Sequence, residues 1–149
     1  MSLGRAIAAC GWLLVLSCSE QASPEFPVDY AANYVEVRDC RASADHDLNN
    51  IRILADPAAL PIYVARDAAF PVGAVVLKEE YDFADVACSG PIKQWTAMRW
   101  LDGTTNGGWA WQRVGADRTV VSTDEVRCIN CHAQCGRPPD GYEGTCAVP

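Results

Sequence analysis

Apolar and polar residues alternate through much of the second half of the chain, a period of two that predicts strands. Gln94 to Leu101 puts Trp95, Ala97, Arg99 and Leu101 on one face and Thr96, Met98 and Trp100 on the other. Trp109 to Val114 continues the pattern, with Trp109, Trp111 and Arg113 sharing a face. Asp102-Gly103 and Asn106-Gly107-Gly108 lie between the two runs and supply turn residues, so a hairpin is predicted. Ala74 to Tyr81 is a third β-rich run, entered through the turn Phe70-Pro71-Val72-Gly73, and Ile51 to Leu54 is a fourth.

Helical spacing is scarcer. Tyr30, Ala31, Tyr34 and Val37 recur on one helical face, which predicts a short helix within Asp29 to Val37. Asp56-Pro57 opens a second, with Asp as cap and Pro at the first position, running to about Ala68 unless Pro61 interrupts it. Asp124 to Cys128 reads as a third, with Thr123 as its cap. The class this implies is α+β, mainly antiparallel β-sheet with flanking short helices.

The N-terminus reads as an export signal. Arg5 gives a positive start, and Ala6 to Leu16 is apolar but too short to span a bilayer. Val15-Leu16-Ser17-Cys18 looks like a bacterial lipobox, in which Cys18 becomes the lipid-modified first residue. Ordinary cleavage near Ala22 or Ser23, giving a soluble periplasmic protein, is the alternative. The expected organisation is a lipoprotein signal over 1–17, a polar tether over 18–28 and one domain over 29–149. Acyl chains at Cys18 would hold the protein at the membrane on the periplasmic side. The chain carries a formal charge of −7 and a pI near 4.7. That balance argues against nucleic acid and for a basic redox partner.

Cys128-Ile129-Asn130-Cys131-His132 changes the picture most. In a C-x-x-C-H run, two thiols can add across the vinyl groups of a haem while the adjoining imidazole becomes the iron's axial ligand. Cys128, Cys131 and His132 are thus the expected attachment and metal residues for one covalent haem c. The domain therefore ends in a C-terminal haem-attachment segment. Haem c is attached outside the bacterial inner membrane, which agrees with an export signal. The competing reading is a zinc set of Cys128, Cys131, His132 and Cys135, in a disulfide-stabilised lipoprotein without haem.

Cysteine arithmetic favours haem. Of eight cysteines, Cys10 leaves with the signal, Cys18 takes lipid, and Cys128 and Cys131 take haem. Cys40, Cys88, Cys135 and Cys146 remain, an even number in an oxidising compartment, with three connectivities open. Cys40–Cys88 and Cys135–Cys146 are the favoured pairs. The zinc set would leave three cysteines unpaired. Four tryptophans, Trp95, Trp100, Trp109 and Trp111, are candidates for one wall of a haem pocket or for plain sheet core.

The run from Ile51 to Pro57, then Phe70-Pro71-Val72-Gly73 through Lys78-Glu79, then Gly107-Gly108-Trp109-Ala110-Trp111-Gln112-Arg113 ahead of the haem motif, resembles the cytochrome P-460 family. This family includes the sheet-built cytochromes c′-beta, and the resemblance covers roughly Tyr30 to His132. It implies antiparallel β with flanking helices, a homodimer, and a five-coordinate haem with an open distal face. It also implies hydroxylamine oxidation, or binding of nitric oxide and related small ligands. In hydroxylamine-oxidising members a lysine is cross-linked to the porphyrin. Lys78 is the candidate here, with Lys93 the alternative.

A sixth iron ligand would make the protein a six-coordinate electron-transfer cytochrome. His46 and Met98 are the residues that could serve, although His46 between Asp45 and Asp47 suits a loop or pocket edge, and a mid-strand methionine suits core packing. A carboxylate such as Glu79, Glu80 or Glu125 over the open face would favour oxidation, which must release protons. An apolar face would favour ligand binding alone.

Overall fold

The computed structural model describes residues 22–137, 139 and 141–147. Six strands form one sheet: β1 Val35–Ala42, β2 Asn50–Ala55, β3 Val75–Tyr81, β4 Gln94–Trp100, β5 Trp109–Gly115 and β6 Val120–Thr123. Every neighbour is antiparallel, in the order β1-β2-β3-β4-β5-β6. Three short helices flank it: α1 Tyr30–Asn33, α2 Leu60–Ala65 and α3 Val126–His132. The architecture is α+β, as the alternating pattern predicts. Among the described residues, no helix is long and apolar enough to cross a membrane.

Each face of the sheet has its own core. One face carries Leu54, Val75, Leu77, Trp95, Ala97 and Val114, packed under Phe26 and Tyr30. The other carries Ile53, Val76, Met98, Trp100, Trp109 and Trp111, against α2, Phe70 and residues of α3 and the tail. The alternation in β4 and β5 is therefore correct, but the four tryptophans do not form one wall. Trp95 faces away. Trp100 and Trp109 pack edge to face, with Phe70 against both, and only Trp111 of the four lines the cavity described below.

Local expectations need correction in several places. The helix predicted to reach Val37 is one turn long and gives way to β1 at Val35. Asp56 Oδ1 does accept the Ala59 amide at 2.6 Å, yet α2 begins only at Leu60. Pro61 sits in its first turn, where no amide is required. Thr123 ends β6 and does not cap a helix; α3 starts two residues beyond the predicted position and contains the whole Cys128–His132 run. Ser23 to Phe26, within the predicted tether, is docked on the sheet. There Gln112 bonds Ser23 and Glu25, and Arg99 pairs with Glu25.

Both favoured disulfides are present. Cys40 of β1 joins Cys88 in the loop after β3, and Cys135 joins Cys146 across the tail after α3. Cys10 and Cys18 lie outside the described residues.

Candidate haem site

Strand register brings the site together. Across the sheet, Arg38 pairs with Ile53, Ile53 with Lys78, Lys78 with Thr96, and Thr96 with Arg113. One adjacent row on the same face runs Arg41, Ile51, Glu80, Gln94; the other runs Ala55, Val76, Met98, Trp111. Nearly all of these side chains line one cavity of about 820 Å³, and Cys128, Cys131 and His132 of α3 line it too. The volume is at the large end of the range for cofactor and ligand sites.

The motif residues share a face because positions 128, 131 and 132 are three and four apart on a helix. Cys128 and Cys131 are free thiols, and burial pushes that of Cys128 up. His132 Nδ1 donates to the Gly144 carbonyl at 2.6 Å, and its ring packs edge to face with Trp111, ring centres 4.7 Å apart. A carbonyl can only accept, so the proton is on Nδ1 and Nε2 keeps its lone pair. Burial, then the Lys78 charge, holds His132 down to about 4, a neutral imidazole.

Lys78, on the central row of the floor, is half-buried. Burial lowers its ammonium to about 8, with Glu80 opposing. Its Nζ is bonded to His46 Nε2, while His46 Nδ1 meets Ser43 Oγ at 2.7 Å. Burial first, and the Lys78 charge next, push His46 down to about 3. A neutral ring that accepts at Nε2 must donate from Nδ1, so both nitrogens are occupied. The loop carrying His46 is tied to α3 through Arg127, which bonds the Asp45 carbonyl at 2.9 Å and Asp47 at 3.2 Å.

The three carboxylates part company. Glu79 points to the opposite face, where Tyr30, Tyr81 and Arg52 bond it. Glu125 lines the cavity but pairs with Arg113 at 2.9 Å and with Ser122. Glu80 is buried at the cavity wall, with Asn49 at 2.9 Å, Gln94 at 2.8 Å and Thr96 at 3.2 Å aimed at its oxygens. Lys93 is exposed, bonds Asn49, and does not line the cavity. Met98 lines the cavity from within the apolar cluster. Cys135, bound to Cys146, is unavailable to a zinc set.

A family model described as Cytochrome P-460 matches residues 27–137. The chain belongs to the cytochrome P-460 family. A comparison with curated proteins finds no match. A cytochrome P-460 member is a haem protein, and the residues present fit that cofactor. The thiols and the Nε2 lone pair converge on one large cavity. On its β1 wall, Arg38 Nε is buried without a hydrogen-bond partner. Arg41 stands beside it on the same face, and neither arginine has a salt bridge among the described residues. Two unpaired guanidinium groups suit the two propionates of a haem.

Sequence reasoning missed Arg38 and Arg41, whose strand it did not predict. Their spacing with Val37 gives no apolar alternation, and in the structure only the unpartnered Nε of Arg38 marks the pair. Gly144, the partner of His132, carries no sequence signal of its own.

Proposed function

We propose that this protein is an exported c-type cytochrome with one covalently attached haem, and that it oxidises hydroxylamine at an open distal site. The observation that carries the reading is that Lys78 and Glu80 line the same cavity as Cys128, Cys131 and His132. Haem, when bound, supplies an electron acceptor and a place to hold a small nitrogen compound. His132 Nε2 would supply the nitrogen donor to haem iron, and the Cys128 and Cys131 thiols would hold the group covalently. Lys78 is the residue for a lysine–porphyrin cross-link. His46 fixes its Nζ at the cavity wall, and burial favours the uncharged amine. Glu80 is positioned to take up protons that oxidation of an N–H or O–H releases.

His46 is a poor sixth ligand because Ser43 and Lys78 occupy both ring nitrogens, which speaks against the electron-carrier reading. Nitric oxide binding without turnover is the second reading. The row of Val76, Met98 and Trp111 supports it, being an apolar wall suited to an uncharged diatomic.

Optical spectra of the purified holoprotein test both. A pyridine haemochrome after acid–acetone extraction is expected, together with a high-spin ferrous form that binds carbon monoxide at once. A red-shifted Soret band that reverts in Lys78→Ala, with loss of hydroxylamine consumption, supports the oxidase. If Lys78→Ala changes neither, gas binding is left. A low-spin ferrous spectrum that resists carbon monoxide rejects the open site. Mass spectrometry of the mature N-terminus, expected to begin at a lipidated Cys18, tests the anchor and the periplasmic location.

A further inference from the structure

The acceptor for His132 comes from outside the sheet, in the tail that follows α3. Gly144 offers its carbonyl to Nδ1 from a left-handed backbone, φ +83°. Several contacts hold that carbonyl in place. The Gly144 amide donates to the Cys135 carbonyl at 3.2 Å, and the Cys135 amide donates to the His132 carbonyl at 3.0 Å. Next to it, the Glu143 carbonyl accepts the indole N–H of the fully buried Trp109 at 2.7 Å. A Cβ on Gly144 would stand 3.1 Å from that indole nitrogen, and one on Gly141 would stand 2.7 Å from Cys135 Cβ. A side chain at Gly141 would collide with its surroundings, and one at Gly144 would crowd the indole from a strained left-handed backbone. The Cys135–Cys146 bridge closes it, with one end three residues past His132 and the other two past Gly144.

We propose that the Cys135–Cys146 disulfide positions the axial histidine, by holding the Gly144 carbonyl on His132 Nδ1 and so setting the ring's orientation and donor strength toward haem iron. The inference rests on the haem reading of His132. An N–H bonded to a fixed acceptor makes the imidazole a stronger donor and locks its tautomer. A stronger donor favours ferric iron and lowers the reduction potential. Opening the loop frees the carbonyl, so the iron–histidine bond weakens and the potential rises. Cys135 and Cys146 are positioning residues that act through Gly144 and touch nothing on the iron themselves.

The test compares ferrous holoprotein with its Cys135→Ser/Cys146→Ser variant by resonance Raman and redox titration. A downward shift of the iron–histidine stretching band and a higher midpoint potential are expected. Cys40→Ser/Cys88→Ser serves as the control, because that bridge is not among the contacts of His132 or Gly144; its band should stay where the wild type has it. If the double serine variant does not accumulate, a phosphine, itself oxidised to the phosphine oxide, can open the bridge in folded holoprotein. Thioether links to haem survive that treatment, and the same band shift is expected. An unmoved band and potential with the bridge open, or an equal shift in the control, overturns the clamp while leaving haem in place. A wild-type protein without a haemochrome overturns the haem reading first and the clamp with it.

Discussion

Lys78 Nζ is hydrogen-bonded to His46 Nε2, and both side chains line the cavity that holds the free thiols. The pair joins strand β3 to the β1–β2 loop, and Arg127 fastens that loop to α3. Lys78 is therefore held in one direction by a neutral acceptor. Without it, a flexible four-carbon stem would sample many rotamers.

The first prediction follows from that contact. His46→Ala removes the acceptor without touching the thiols or His132. Peptide mapping of the haem-bearing fragment should show a severalfold drop in the share linked to Lys78, with attachment through Cys128 and Cys131 unchanged. An undiminished share of Lys78-linked haem would dismiss His46 as its positioning partner.

Arg38 and Arg41 give the second. Set against the propionates of a bound haem, their charges would disfavour the more positive ferric state. Arg38→Gln should lower the midpoint potential by roughly 40 mV, the one-electron equivalent of about 1 kcal/mol. Arg38→Lys, which keeps the charge and loses the fork, should lower it less. Redox titration that finds no change in either variant would remove Arg38 from the haem's surroundings.

The two bridges should separate stability from spectroscopy. Cys40–Cys88 spans 48 positions and Cys135–Cys146 spans 11. Chain entropy gives about 4 kcal/mol for the first and about 3 kcal/mol for the second. Urea unfolding of the paired serine variants should rank them in that order. Thiol labelling before reduction should find no free cysteine in the described part of the holoprotein, and Cys128 and Cys131 alone when haem is withheld.

The fourth prediction concerns the face turned away from the site. Tyr30 donates to Glu79 at 2.6 Å and accepts from the Trp95 indole at 2.9 Å. Burial, and next the hydrogen bond to Glu79, push its phenol up to about 12 from an ordinary value of 10.0. The folded protein keeps this proton where the unfolded chain releases it. The stabilisation is thus complete below about pH 10 and is lost as pH rises to about 12. Tyr30→Phe leaves Glu79 and Trp95 short of a partner, and should cost about 1–3 kcal/mol at pH 7. That deficit should shrink between pH 10 and 12 in denaturant titrations; a deficit constant with pH would refute the linkage.

How far the sequence could be read depended on whether a residue's job showed as apolarity. β4 and β5 were legible because their large apolar residues alternate with polar ones, and β3 because a Val and Leu run follows a Pro-Gly turn, although it is buried on both faces. β1 was not. Val35–Ala42 turns Arg38 and Arg41 toward the cavity, so the residues it presents to the site are charged and the hydrophobic rule passes over them. The four-residue β6 is too short to announce itself. In the site, Cys128, Cys131 and His132 are written out as a motif. By contrast, the direction of Lys78 follows only once β3 is in register, with Val76 and Glu80 on its face and Glu79 on the other. The approach of Gly144 to His132 depends on a loop closed by a disulfide, which no local pattern encodes.

Because β1 to β6 pair only with their sequence neighbours, the sheet needs no late strand to slot between early ones. Contacts of this kind form with little loop closure, and a chain delivered N-terminus first can lay them down in order. Cys40 and Cys88 lie in β1 and just past β3, so they can pair while the rest of the chain is still arriving. Cys128 and Cys131 come only after β6, when the floor that receives them is complete. The timetable written into the topology thus keeps the early thiols from competing with the later ones for partners.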